Sequence, residues 1–107
     1  MSVPTVEKDS FEKVIGTGKP ALIEFGAAWC SPCRMLNPVL EELQEEFGSE
    51  VSVAKVDVDA SPELASAFGV MSVPRVLLFH HGEVVEKLIG LRPKKAYQEL
   101  VATAVLG

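Results

Sequence analysis

The chain has two cysteines, and both stand in the run Trp29-Cys30-Ser31-Pro32-Cys33. The run follows the apolar stretch Ala21 to Gly26 and precedes a segment with helical periodicity, so the pair falls at the start of a helix. There the first-turn N–H groups are unpaired and the helix dipole is positive, and both favour a thiolate at the first sulfur. The second sulfur lies one turn further along the same side, where a disulfide can close without a large backbone movement. The chemistry this allows is a reversible two-electron exchange between a dithiol and a disulfide. Cys30 is the candidate nucleophile, because thiols of Cys-x-x-Cys pairs can have pKa values of roughly 3.5–7.5 and only the thiolate attacks a disulfide sulfur. Cys33 is the candidate resolving thiol. These roles require Cys30 to be accessible to visiting polypeptides, with Cys33 behind it.

Two other uses of a cysteine pair compete with this one and fit less well. Buried core cysteines would sit in an apolar stripe, whereas Trp29, Ser31 and Pro32 make a turn. A zinc site needs four ligands, and the only histidines, His80 and His81, are adjacent residues expected on opposite sides of a strand. No metal is therefore expected. A Gly-x-Gly-x-x-Gly fingerprint is also lacking, so no cofactor is expected.

Glu24 lies in what should be the most buried strand, where an unpaired carboxylate is costly. Burial would raise its pKa and suit it to accept the Cys33 proton, directly or through a water. Lys55, flanked by apolar residues on the next strand, could pair with it. A buried ion pair with no catalytic part is the structural alternative. Pro74, after Val73 at the entry to a strand, suggests either a sheet edge or a cis bond.

The elements that must position these residues follow from periodicity and punctuation. Val3 to Val6 reads as a short strand, and Lys8-Asp9-Ser10 as the cap of a helix carrying Phe11, Val14 and Ile15. Ala21 to Gly26 is apolar on both alternations apart from Glu24, as in a central strand covered on both faces. Leu36, Leu40, Leu43 and Phe47 mark the buried side of a long helix, kinked at Pro38 and stopped at Gly48. Val51 to Val58 is a strand, and Ser61-Pro62 opens a short helix with Leu64 and Phe68. Val76 to Phe79 and Val84 to Ile89 form an antiparallel hairpin about His81-Gly82. Pro93 opens a last helix with Tyr97, Leu100, Val101 and Ala104 inward.

At 107 residues, 48% of them hydrophobic, the expectation is one domain over residues 1–107. A net charge of −5 argues against a nucleic-acid surface. No stretch approaches the roughly 18 apolar residues of a membrane span. Met1-Ser2-Val3-Pro4 lacks the basic and apolar regions of a secretory leader, so a cytoplasmic location is expected. In that reducing compartment a cysteine pair is catalytic more often than it is a staple.

The run Trp29 to Cys33, the acid six positions before the first cysteine, Pro38 five after the second, Val73-Pro74, and Gly82 and Gly90 together resemble the thioredoxin family over nearly the whole chain. The resemblance implies the α/β thioredoxin fold, a single mixed five-stranded sheet in the order 1-3-2-4-5 with helices on both faces. It implies reduction of disulfides in target proteins through a Cys30–Cys33 dithiol/disulfide, and a separate thioredoxin reductase to regenerate the dithiol. It also implies that Pro74 is cis and packs beside the cysteines, and that the Val73 backbone pairs with an extended substrate segment. Trp29, Val73 and Gly90 would line the apolar surface that receives the target, beside Ser31 and Pro32. A monomer is the default expectation, since an exposed apolar patch of this kind serves transient partners equally well. Three positions depart from the family pattern. Ser31 stands for the usual glycine and brings a hydroxyl to the sulfurs, Glu24 is one methylene longer than the usual aspartate, and Arg75 replaces the usual threonine. An Arg75 side chain reaching the cysteines would favour the thiolate, and one in solvent would select acidic targets. Competing functions are a protein disulfide oxidant or isomerase on the same fold, and a non-catalytic module that holds a partner.

Overall fold

Alternation along one strand divides the core in two. β1 (Ala21–Gly26) is buried at every position, and successive side chains point to opposite faces. On one face Leu22 joins Val53 of β2 (Ser52–Asp57) and Val76 and Leu78 of β3 (Arg75–His80). These pack against Leu36, Leu40 and Leu43 of α2 (Ser31–Phe47) and Tyr97 and Val101 of α4 (Lys94–Leu106). On the other face Ile23, Phe25, Val56, Leu77 and Phe79 meet Phe11 of α1 (Lys8–Ile15) and Leu64 of α3 (Pro62–Ala67). The computed structural model describes residues 3–106. Met1 and Ser2, part of the segment read for a leader, lie outside them.

The sheet is mixed, in the order β2-β1-β3-β4, with β4 spanning Glu83–Ile89. β1 runs parallel to β2 and antiparallel to β3, and β3 antiparallel to β4. The parallel pairing sets Glu24 directly beside Lys55. The turn between β3 and β4 consists of His81 and Gly82 with φ of 55° and 79°, the left-handed pair that a two-residue hairpin requires. α2 continues through Pro38 to Phe47, and a short 3-10 turn, Gly48–Glu50, leads into β2.

Among the described residues four strands are formed, where five were expected. The segment Val3 to Val6 makes only a single bridge, Thr5 to Lys55, through Lys55 N–H to the Pro4 carbonyl at 2.8 Å and Val6 N–H to the Lys55 carbonyl at 2.7 Å. Pro4 has no N–H to offer the next carbonyl of β2, and the chain turns into α1 at Lys8, so the ladder cannot lengthen in either direction. The four strands that do form keep the succession expected of them.

Two local expectations also change. α1 is capped at Glu7, whose N–H donates to Ser10 Oγ at 3.0 Å, in place of a cap at Lys8 to Ser10. His80 and His81 do not project to opposite sides: their rings stack at 4.1 Å, because the positive φ of His81 takes it out of the strand's alternation. Among the described residues no group of three or more His, Cys, Asp or Glu side chains is arranged to hold a metal ion. None of their helices is long and apolar enough to cross a membrane.

Candidate active site at the head of the second helix

α2 begins where Cys30 leaves the extended backbone, with φ −94° and ψ 108°, and caps the helix with its own sulfur. Cys30 Sγ accepts the Cys33 N–H at 3.2 Å, so a first-turn donor left over by helix geometry points at the sulfur. The two cysteines are joined in a disulfide with Cα atoms 5.3 Å apart. Both residues are only 5% exposed, packed with Ala27 and flanked by Val58 and Val73. The expected contrast between an open Cys30 and a sheltered Cys33 is thus absent in the disulfide form. The capping position is responsible, since it turns the Cys30 sulfur back over the helix.

Trp29 stands beside the pair, 67% exposed, with its indole N–H donating to Asp59 Oδ2 at 2.8 Å. The Val73-Pro74 bond is cis, as the resemblance implied. The Pro74 carbonyl accepts the Gly90 N–H at 2.9 Å, which fastens the end of β4 to the loop before β3. Among the described residues neither the N–H nor the carbonyl of Val73 has a hydrogen-bond partner. Ser31 does not put its hydroxyl on a sulfur. Its Oγ accepts from Arg34 Nη2 at 3.0 Å, while Arg34 Nη1 donates to the Ala28 carbonyl at 2.7 Å. Arg75 is likewise committed elsewhere, with Nη1 donating to the Gly69 carbonyl at 2.7 Å. That bond ties the end of α3 to β3.

Behind the disulfide lies a cleft of about 300 Å³ lined by Glu24, Gly26, Cys33, Arg34, Asn37, Lys55 and Asp57 among others. Glu24 is 2% exposed and its Oε2 has no hydrogen-bond partner. Burial raises its pKa to about 7, and the charge of Lys55 works in the opposite direction. Gly26, two residues on along the same face of β1, is what admits this carboxylate. A Cβ there would overlap Glu24 Oε2 and come within 3.1 Å of Cys33 Sγ, so the carboxylate takes the volume a side chain would fill, next to the sulfur.

The expected pairing of Glu24 with Lys55 is not made. Lys55 Nζ instead donates to Asn37 Oδ1 at 3.4 Å, although the two residues are neighbours in the strand register. Register fixes the Cα positions, but a long lysine stem can carry its ammonium to whichever acceptor lies nearer the rim.

Sequence reasoning missed Gly26, Asn37 and Asp59. Two of them carried a signal. Gly26 is at i+2 from Glu24 in a strand, and Asn37 is at i+4 from Cys33 in a helix, so each shares a face with a residue already singled out. Asp59 carried none, because its contact with Trp29 spans thirty positions.

An α/β domain that presents a disulfide at the head of a helix, next to an exposed aromatic ring and a buried acid, is built for thiol–disulfide exchange. The thioredoxin family model matches residues 2–103. A thioredoxin of Alicyclobacillus acidocaldarius is 46% identical over 98 residues, 92% of this chain and 93% of its own length. The bifunctional thioredoxin reductase/thioredoxin of Mycobacterium leprae is 40% identical over 96 residues, 90% of this chain and 21% of that protein. Among solved structures, a mutant thioredoxin from Halobacterium salinarum superposes with a TM-score of 0.89 at 38% identity, covering 96% of this chain and 89% of that one. The chain belongs to the thioredoxin family, and it is a thiol–disulfide oxidoreductase that acts as a protein disulfide reductase.

Proposed function

We propose that Cys30 is the nucleophile, Cys33 the resolving thiol and Glu24 the proton acceptor of Cys33. The observation that carries this assignment is the Cys30 sulfur at the N-cap of α2, where it accepts the Cys33 N–H. The donor that meets the sulfur in the disulfide would stabilise a thiolate at the same place in the dithiol.

In the reaction the Cys30 thiolate attacks one sulfur of a target disulfide. The target S–S bond breaks, one target sulfur leaves as a thiolate, and a mixed disulfide forms. Cys33 gives its proton to Glu24 and attacks Cys30 Sγ. The mixed disulfide breaks and the second target sulfur leaves, so the target has gained two electrons and the Cys30–Cys33 pair has lost two. Glu24 returns its proton to solvent through the cleft.

Trp29, Val73, Pro74 and Gly90 form the surface that receives the target, beside Ser31 and Pro32, with the unpartnered Val73 main chain available to an extended segment. Lys55 tunes the acid. Disulfide-containing proteins are the substrates, and a separate thioredoxin reductase restores the dithiol. Support for that partner comes from the Mycobacterium leprae relative, whose name joins the two activities in one chain. The protein works in the cytoplasm as a single monomeric domain.

Dithiothreitol-driven insulin reduction by wild type and each cysteine variant tests the roles. Cys30→Ser should be inactive, and Cys33→Ser should stop at a mixed disulfide through Cys30. Rapid turnover by Cys33→Ser would sink the assignment.

A further inference from the structure

A carboxylate and an ammonium placed side by side on adjacent strands ordinarily pair. Glu24 and Lys55 occupy such positions, yet Glu24 Oε2 is buried without a partner and Lys55 Nζ is held by Asn37 Oδ1 at 3.4 Å. Asn37 projects from α2 one turn beyond Cys33, so the amide that holds the ammonium and the sulfur that reacts come from the same flank of one helix. All four residues line the same cleft.

We propose that Asn37 is a positioning residue for the exchange reaction: by anchoring the Lys55 ammonium on α2 it keeps the cation off the Glu24 carboxylate, which stays free to trade a proton with Cys33. The inference rests on Glu24 as the proton acceptor and adds the device that keeps it available.

The other charged and titratable groups near Glu24 are committed or neutral. Arg34, on α2, donates to Ala28 and Ser31. Asp57, on β2, accepts the N–H groups of Asp59 and Ala60 through Oδ1. Tyr97, on α4, is neutral near pH 7, its pKa raised above 10.0 by burial first and by Glu24 among lesser influences. Lys55 is the charge that acts directly on Glu24, lowering a pKa that burial has raised to about 7. A shorter distance between them would lower it further.

The test is a 13C NMR titration of the Glu24 carboxyl in the full chain. Asn37→Ala should lower the Glu24 midpoint by about one unit, the lower end of what an adjoining cation does to a carboxylate. In a Lys55→Met background the same substitution should leave the midpoint unchanged. Asn37→Asp, which keeps an acceptor for the ammonium, should not reproduce the fall. An unmoved midpoint in Asn37→Ala, or an equal shift with and without Lys55, overturns the inference. The pH profile of mixed-disulfide resolution separates it from the assignment on which it rests. If the midpoint falls and the profile does not follow, the anchoring stands and Glu24 loses its role as acceptor.

Discussion

Two of the places where glutamate meets lysine have opposite outcomes. On the surface Lys94 of α4 reaches Glu42 Oε1 at 2.8 Å and pairs with Glu46 as well, while Gln98 Nε2 adds a bond to Glu46 Oε2 at 2.8 Å. Hydrogen bonds from Lys94 and then Gln98 hold the Glu46 carboxyl below its ordinary range. Such exposed pairs contribute little and have no proton to exchange. At the head of α2 the two partners are strand neighbours but stay apart, and burial pushes Glu24 up to about 7. A satisfied pair fastens α4 to α2, whereas an unsatisfied one leaves an acid whose pKa burial raises to about 7.

Removing Glu24 gives the largest effect on this contrast. Because its folded pKa lies above the unfolded value of 4.5, the folded state binds the proton more tightly. Its contribution to stability is therefore most favourable below about pH 4.5 and is lost as pH rises to about 7, a change on the order of 3 kcal/mol. Urea unfolding of Glu24→Gln beside wild type should show the variant gaining relative stability across that window. A difference that stays flat with pH would mean that Glu24 is not held protonated by burial.

Gly26→Ala comes next. The added methyl would meet the Glu24 carboxylate and Cys33 Sγ, and should destabilise the fold by about 1–3 kcal/mol, the ordinary cost of overpacking. Unchanged thermal stability would show that the acid and the sulfur do not share that space. Lys94→Ala should give the smallest effect. Both its melting temperature and its reductase rate should lie within replicate scatter of wild type. A marked loss of rate would mean that the surface pair and the active site are coupled.

The sequence made one of these regions easier to read than the other. The cysteine pair was visible because a helix start, a turn and two thiols three positions apart are all local. Glu24 was visible because a single acid interrupts an otherwise apolar strand. Burial of β1 and the inward face of α2 followed from periodicity in the same way. Lys55 was found, but its partner was not, since the choice between Glu24 and Asn37 depends on where α2 lies across β2. The same limit applies to Cys30, whose shelter comes from the capping turn and from Val73, forty-three positions away. Val3 to Val6 looked like a strand by composition, yet Pro4 on one side and the turn into α1 on the other limit it to one bridge. For His80 and His81 the alternation rule was applied one residue past the end of β3, where the turn already governs direction.

The most direct test follows the resolution step by itself. A mixed disulfide between Cys30 and a fluorescent peptide is prepared, and its breakdown by Cys33 is timed in a stopped-flow instrument across a pH range. Wild type should accelerate as pH rises through about 7, where Glu24 loses its proton and can accept the one on Cys33, and Glu24→Gln should lack that inflection. The same inflection in both proteins would contradict the account.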